Sequence, residues 1–139
     1  MLNDDDLNRY ARQVIIPNFE EDGQENLLNT KCLIVGAGGL GCPVALYASA
    51  AGFGHIEIYD EDIIEISNLN RQIAHKNDHI GNNKAENLVQ ECLKINPNIS
   101  IISRKNIFDE TVDVSNFDLI FDCSDNSETK YILNFLSHK

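Results

Sequence analysis

Four glycines within six residues give this sequence its most distinctive pattern, Gly36-Ala37-Gly38-Gly39-Leu40-Gly41. An apolar run from Cys32 to Val35 precedes it, and small apolar residues follow it as far as Ala51. A G-x-G-x-x-G between a strand and a helix permits a tight turn, close approach of the backbone to a phosphate, and close packing of the helix on the sheet. The pattern predicts a site for nucleotide phosphates; the alternative is a plain strand-to-helix turn.

A carboxylate stands where a nucleotide-binding domain needs one for the ribose. Asp60 ends a second strand-like run that starts at Ile56, about 20 residues after Gly41. An acidic side chain at this place accepts hydrogen bonds from ribose hydroxyls. A surface carboxylate that caps a loop would give the same pattern, and NAD and ATP are served equally well by these features.

The polar stretch after Asp60 distinguishes the two nucleotides. Phosphoryl chemistry places growing negative charge on phosphate oxygens, so it needs cations and hydrogen-bond donors there. Arg71 can bind two oxygens at once. We therefore predict nucleotide contacts from Asp62, Asn68, Arg71 and Gln72. A solvated polar loop is the alternative interpretation.

Lys84 lies in the first turn of a predicted helix that runs to Ile95. A cation there opposes the helix dipole at a cost of about 0.3–1 kcal/mol. A surface lysine tolerates that cost, but a lysine that reaches a phosphate explains the position better.

An acidic segment, Asp122-Cys123-Ser124-Asp125-Asn126, follows the apolar run from Phe117 to Phe121. A carboxylate at the carboxyl end of a strand, facing phosphates, suits Mg²⁺. Asp125 with Glu128 three residues later also resembles a capping box for the last helix. The residues alone leave these two interpretations equal.

The order of predicted elements indicates an α/β fold with a mostly parallel sheet and helices on both faces, in the Rossmann-like arrangement. Such sheets bind ligands beyond the carboxyl ends of their strands, which is where the residues named above lie. Residues 1–30 are predicted to form a helical N-terminal extension, and residues 31–139 the Rossmann-like domain. The long segment from Ile63 to Ile80 has no sustained period, so we expect a functional loop.

Composition excludes several functions. A net charge of −11 repels nucleic-acid backbones, and no apolar run approaches the roughly 20 residues that span a bilayer. The acidic N-terminus is unlike a signal peptide, so a cytoplasmic location is expected. We interpret Cys32, Cys42, Cys92 and Cys123 as buried small hydrophobes, since they form no C-x-x-C. His75 and His79 have no third ligand nearby, so we interpret them as solvated loop histidines.

Taken together, these motifs resemble the adenylyltransferases of the ThiF/MoeB/HesA group, relatives of the ubiquitin-activating enzymes. The resemblance covers the chain from about Leu7 to its end, and its motifs stand in the order and spacing of that group. They are Arg9-Tyr10-Ala11-Arg12-Gln13, Gly36 to Gly41, Ser67 to Gln72, Gly81 to Lys84, and Asp122 to Asn126.

The resemblance implies that Mg-ATP binds with its phosphates over Gly36 to Gly41 and its ribose on Asp60. Arg71 and Lys84 would hold the triphosphate, with Asn68 and Gln72 nearby, and Asp125 would serve Mg²⁺. The C-terminal glycine carboxylate of a ubiquitin-like sulfur-carrier protein, from the thiamine or the molybdopterin pathway, would attack the α-phosphate to give an acyl-adenylate and pyrophosphate. In this group a dimer partner supplies an arginine to the phosphates, and Arg12 matches that position, so a homodimer is implied.

One departure from the group concerns length. Its members continue for roughly another hundred residues, the size of a second small domain, with a zinc site of paired C-x-x-C motifs that this chain lacks. We therefore expect a truncated domain whose second half is incomplete and which contains only part of the residues that the group needs for activity. An NAD-binding oxidoreductase domain and a non-catalytic dimerisation or interaction module remain as alternatives.

Overall fold

A four-stranded parallel sheet forms the centre of the computed structural model, which describes residues 1–138. The strand order is β3-β2-β1-β4, and every neighbouring pair is parallel. Val35 at the end of β1 pairs with Tyr59 of β2 and with Asp122 of β4. The residues that follow these strands therefore leave the sheet at one common edge. The strands are β1 (Lys31–Val35), β2 (His55–Tyr59), β3 (Ser100–Arg104) and β4 (Leu119–Asp122).

Six α-helices accompany the sheet in the described part of the chain, together with two short 3₁₀ helices at Ile66–Asn68 and Asn77–His79. A break at Tyr10 separates the first two α-helices. The α-helices are α1 (Asp4–Arg9), α2 (Ala11–Val14), α3 (Glu20–Asn29), α4 (Gly41–Ala51), α5 (Lys84–Ile95) and α6 (Ser127–Ser137).

Each face of the sheet has its own apolar core, which confirms the predicted α/β arrangement. Ile34 and Ile58 point to the face covered by α4 and α5, where they pack with Ala45 and Leu88. Side chains of the opposite face pack with α6 and with the segment that connects β3 to β4. This second core consists of Leu33, Val35, Tyr59, Phe108, Leu133 and Leu136.

The N-terminal helices lie at the end of the sheet opposite the carboxyl ends of β1 and β2. Tyr10 is buried, and its hydroxyl accepts a hydrogen bond of 2.9 Å from Asn96 after the last turn of α5. Gln13 donates to the carbonyl of Ala51, the last residue of α4, over 2.9 Å. These contacts attach α1 and α2 to the far ends of α4 and α5. Among residues 1–138, the structure contains no helix with the length and apolarity needed to cross a membrane.

Candidate nucleotide-binding site

Ala37, inside the glycine loop, is held by hydrogen bonds on both sides. Its N–H donates to Asp60 Oδ2 over 2.7 Å, and its carbonyl lies 2.9 Å from His75 Nε2. Within residues 1–138, the N–H groups of Gly38, Gly39 and Leu40 have no hydrogen-bond acceptor. Unpaired amides directly before the first turn of α4 form an environment that suits an anion.

Two of the glycines are required by the backbone itself. Gly36 has φ +105°, and a Cβ there would lie 2.5 Å from the carbonyl oxygen of Cys123. A Cβ on Gly41 would lie 1.8 Å from the carbonyl oxygen of Gly36. These approaches hold the start of α4 against the ends of β1 and β4, as the G-x-G-x-x-G pattern predicts.

Side chains of Arg71 and Gln72 lie over the other two glycines. The Cγ of Arg71 is 3.6 Å from the position that a Cβ on Gly39 would take, and Nε2 of Gln72 is 3.4 Å from that position on Gly38. The structure therefore brings together the loop and two residues of the polar stretch, more than 30 positions apart in the sequence. Arg71 is exposed and donates through Nη1 to the carbonyl of Ser67 and to Asn70, both over 3.1 Å.

Gln72 carries an unsatisfied polar atom. Its side chain is 4% exposed, and its Oε1 is buried without a hydrogen-bond partner in the described part of the protein. A buried unpaired acceptor costs roughly 1–3 kcal/mol, so a donor from a bound ligand would relieve it. Asn68 is also buried, and its Oδ1 caps the 3₁₀ helix by accepting from the N–H of Glu65. Its amide nitrogen has no protein partner within residues 1–138.

Asp60 fixes the glycine loop through its carboxylate. Oδ2 accepts from Ala37, and Oδ1 accepts from the N–H of Asp62 over 2.9 Å. Burial raises the pKa of the Asp60 carboxyl above its ordinary value, and the two backbone hydrogen bonds oppose that rise. Each carboxylate oxygen has two lone-pair directions, so both can also accept from a ribose hydroxyl.

Lys84 and Asp62 form an ion pair that the sequence did not indicate. Lys84 Nζ lies 2.9 Å from Asp62 Oδ2, and the lysine side chain is 9% exposed while the aspartate is 64% exposed. Backbone bonds reinforce the pair, because the N–H of Lys84 donates to the carbonyl of Asp62 over 2.9 Å. The pair gives Lys84 a structural reason to occupy the first turn of α5. Its charge still lies close to Asp60 and His75, whose pKa values it lowers.

The segment after β4 contains the residue that caps α6. Asn126 caps α6 by accepting from the N–H of Thr129 over 2.9 Å, so the capping-box interpretation of Asp125 and Glu128 is wrong. Helix α6 begins one residue later than that interpretation requires. Asp125 is exposed and has no hydrogen-bond or ionic partner among the described residues. Its neighbour Asp122 differs, because it accepts from Ser124 and pairs with Lys130 at 3.3 Å.

Arg12 lies apart from the residues around the glycine loop. Its neighbour Gln13 contacts Ala51, while the glycine loop is at the opposite end of α4, and an 11-residue helix is about 16 Å long. An arginine side chain is much shorter than this. Arg12 is exposed and has no partner in the described chain.

His75 is the residue of this region whose role the sequence did not indicate. Our interpretation of a solvated histidine is wrong for it, because the side chain is 4% exposed. Nδ1 lies 2.9 Å from the amide nitrogen of Asn87, and Nε2 lies 2.9 Å from the Ala37 carbonyl. Burial lowers the pKa of His75, and the hydrogen bond to Ala37 opposes that change. A histidine between two short 3₁₀ helices has no local pattern that would signal burial.

The four cysteines lie in the apolar core or pack against it. Cys32, Cys42 and Cys92 are buried, and burial raises the pKa of these thiols to about 12, 11 and 11, respectively. This confirms that they are buried small hydrophobes; Cys123 is half-buried. In the residues that the structure describes, no group of three or more His, Cys, Asp or Glu side chains is arranged to hold a metal ion.

Comparison with known proteins places these features in a family. The model of the ThiF family matches residues 10–139. The chain is 40% identical over 136 residues to "Adenylyltransferase and sulfurtransferase MOCS3" of Caenorhabditis briggsae, a match that covers 96% of this chain and 34% of that protein. The chain thus spans about a third of the length of this curated relative.

Solved structures give the same result for the fold. A crystal structure of E. coli MccB with ATP is 40% identical, with a TM-score of 0.60, over 63% of this chain and 26% of that one. E. coli tRNA N6-threonylcarbamoyladenosine dehydratase, TcdA, has a TM-score of 0.88 over 96% of this chain and 57% of that one. At 22% identity, the second match shows a common fold.

Proposed function

The chain belongs to the ThiF family, and on that premise we propose that it is the nucleotide-binding part of an ATP-dependent adenylyltransferase. Its substrate is the C-terminal glycine carboxylate of a ubiquitin-like sulfur-carrier protein of the thiamine or molybdopterin pathway. One observation carries the proposal: the glycine loop, whose amides at Gly38 to Leu40 have no acceptor within residues 1–138, lies against the side chains of Arg71 and Gln72. Amide donors and a helix N-terminus lie there beside the aliphatic stem of Arg71, whose guanidinium can complete the donor set that a polyphosphate needs.

Several residues together allow the triphosphate and the attacking carboxylate, which are both anions, to approach each other. Gly38, Gly39 and Leu40 donate amides to phosphate oxygens, and Asp60 accepts from the ribose. Arg71 and Lys84 neutralise the triphosphate, with Asn68 and Gln72 as further donors, so that a carboxylate can approach the α-phosphorus without strong repulsion. The attacking oxygen belongs to the carrier, and pyrophosphate is the leaving group. No nucleophile of this chain is needed for that step.

The surroundings of Gln72 and Lys84 are consistent with contact between these side chains and a triphosphate. The Nε2 of Gln72 already faces Gly38, so it can donate to a phosphate above the loop, and its Oε1, which has no partner within residues 1–138, remains for another donor. Lys84 is paired with an exposed aspartate, and a triphosphate competes well for such a lysine because it concentrates several negative charges. In this scheme, Asp62 holds Lys84 in place until the nucleotide binds.

Mg²⁺ would be held by Asp125 together with phosphate oxygens. The carboxylate fits this role because it is exposed and unpaired within residues 1–138, and Mg²⁺ commonly binds one or two carboxylates plus substrate phosphates. The ion would offset charge on the phosphates. Lys130, which pairs with Asp122 and donates to the carbonyl of Ser124 over 2.9 Å, keeps the neighbouring segment ordered.

Arg12 is proposed to act on the phosphates of a second copy of the chain. Its distance from its own glycine loop supports a role in trans, and the guanidinium is available because it has no partner among residues 1–138. A two-fold dimer would give each site one arginine from the other subunit.

The first test is nucleotide binding by the chain itself. Thermal melts with Mg-ATP and with NAD⁺ separate the adenylyltransferase from an NAD-binding domain, because a ligand at 100 times its Kd adds about 2.7 kcal/mol to stability. We expect stabilisation by Mg-ATP alone. Stabilisation by NAD⁺ and indifference to Mg-ATP would contradict the proposal. ATP–pyrophosphate exchange with an added carrier protein then tests for adenylation.

A pair of lysine variants on α5 tests the assignment of the site. Lys84→Ala removes a cation at the glycine-loop end, and we expect Mg-ATP binding to weaken tenfold or more, since a charged hydrogen bond contributes roughly 1.5–3 kcal/mol. Lys94→Ala is the matched control, because Lys94 also pairs with a carboxylate but lies at the other end of the helix. Isothermal titration calorimetry measures both. Equal weakening in the two variants would mean that Lys84 does not contact the nucleotide.

A further inference from the structure

The peptide unit between Ala37 and Gly38 is hydrogen-bonded to His75. In a planar trans peptide, the carbonyl and the following N–H point in opposite directions. The Ala37 carbonyl points toward His75 Nε2 at 2.9 Å, so the N–H of Gly38 points away from the imidazole. That amide is one of those without an acceptor in the described structure.

Partners on both ring nitrogens fix which of them carries the proton. A carbonyl only accepts, so Nε2 donates to Ala37; the amide nitrogen of Asn87 only donates, so Nδ1 accepts. The neutral ring therefore uses its full hydrogen-bonding capacity. The thiol of Cys42 is a second, weaker donor to the Ala37 carbonyl, over 3.5 Å, and its Sγ lies 3.8 Å from Nε2.

His75 also connects the glycine loop to α5. Asn87 lies three residues after Lys84, a spacing that puts both side chains on one face of the helix. The ring thus bridges the loop that offers amides and the helix that carries a cation. Asp60 completes the arrangement by binding the N–H of Ala37 from the other side.

We propose that His75 is a positioning residue: by holding the Ala37 carbonyl, it orders the glycine loop and directs the amide of Gly38 toward bound phosphates. The phosphate part rests on the proposed function above, whereas the ordering of the loop is a property of the free protein. His75 contacts no reacting atom in this scheme and acts through the backbone.

Two amide variants of different length test the proposal. His75→Gln can place its nitrogen close to where Nε2 lies and keep the bond to Ala37, whereas His75→Asn is one methylene shorter and loses it. Nitrogen-15 relaxation of Gly38 and Gly39 in the free protein reports the order of the loop. We expect order parameters near 0.85, typical of rigid backbone, in the wild type and His75→Gln, and values below about 0.6 in His75→Asn.

Ligand binding gives a second readout on the same proteins. We expect Mg-ATP to bind His75→Gln within about threefold of the wild type and His75→Asn about tenfold more weakly, the size of one lost hydrogen bond. Adenosine, which has no phosphate, should bind all three proteins alike. If His75→Asn folds poorly, Asn87→Ala is measured instead, because it frees the ring to turn and should also lower the order of Gly38.

The outcomes separate this inference from the proposed function. A rigid loop in His75→Asn, or equal effects of both amides on order and Mg-ATP binding, would overturn the positioning role and leave a buried polar residue. If the wild type binds no Mg-ATP but His75→Asn alone loosens the loop, the proposed function fails while the loop-ordering role of His75 stands.

Discussion

The backbones of Gly41 and Gly36 lie in contact where α4 begins. We predict that Gly41→Ala destabilises the fold by roughly 1–3 kcal/mol, because the new Cβ would lie 1.8 Å from the Gly36 carbonyl and the helix would have to move. Urea denaturation measures the change. Gly39→Ala is the matched control, since its Cβ would meet Arg71 Cγ at an ordinary 3.6 Å and stability should stay within about 0.5 kcal/mol. A similar loss in both variants would contradict this explanation.

His75 should make stability depend on pH. Its folded pKa is below the ordinary 6.5 because the ring is buried; Lys84 and His79 lower it further, and the Ala37 carbonyl and Asp60 oppose them. The unfolded chain therefore binds a proton first as pH falls, so this contribution is complete above 6.5 and is lost between 6.5 and the folded pKa. We predict that His75→Gln, which does not titrate, loses this part of the decline. Free energies of unfolding at pH 7.5, 6.5 and 5.5 check it, and parallel profiles would exclude His75 as the source.

Short-range patterns predicted where the site residues lie, but not what they bond to. The glycine pattern predicted a strand-to-helix turn, which lies between β1 and α4, and Asp60 directly follows β2, because such turns have local signatures. The Lys84–Asp62 pair and the His75–Ala37 bond join positions 22 and 38 residues apart. No local pattern encodes such contacts. The cap at Asn126 instead of Asp125 shows how a shift of one residue changes the role of a carboxylate.

At the scale of elements, Glu91 connects the long loop to α5. Its carboxylate pairs with Lys76 of the loop at 2.8 Å and with Lys94 of the helix. Burial favours a raised pKa for Glu91, but the bonds from the two lysines outweigh it and the pKa is lowered. The segment from Ile63 to Ile80 is therefore attached to the domain, although it lacks a regular period.

We predict that Glu91→Gln lowers the free energy of unfolding at pH 7 by about 0.5–1 kcal/mol, since both lysines are largely exposed and screened. A lowered folded pKa means that the contribution is present above 4.5 and is lost as pH falls through the folded value. The difference between wild type and variant should shrink accordingly in acid. Glu110→Gln, at an exposed position, is the control. A difference that persists at low pH would point to packing instead of charge.

The helices and strands themselves were predictable because apolar runs and punctuating residues agree along the chain. Asn83 before α5 and Pro97 after it set the limits of that helix in the sequence and in the structure. The break at Tyr10 was not predictable. At this break the buried Tyr10 hydroxyl accepts a hydrogen bond from Asn96, a contact across 86 positions.

At the scale of the whole molecule, a chain of net charge −11 concentrates donors at one edge of its sheet. Arg71 and Lys84 lie at that edge, whereas the N-terminal helices with Arg12 are attached at the opposite one. If Arg12 contacts phosphates, as proposed above, this separation requires that it does so from a second copy of the chain. It leads to a prediction about two copies of the chain.

Mixing two variants that each bind Mg-ATP weakly should restore tight binding. If Arg12 serves the partner's site, Arg12→Ala and Arg71→Ala chains each bind Mg-ATP weakly, but a dimer of one with the other contains one intact site. Equal mixing makes half the dimers mixed, and half of their sites are whole, so we predict that about a quarter of the wild-type tight sites return. Calorimetric stoichiometry measures this after the two chains have exchanged subunits. An arginine acting in its own chain would restore none, because every site would still lack one of the two guanidinium groups.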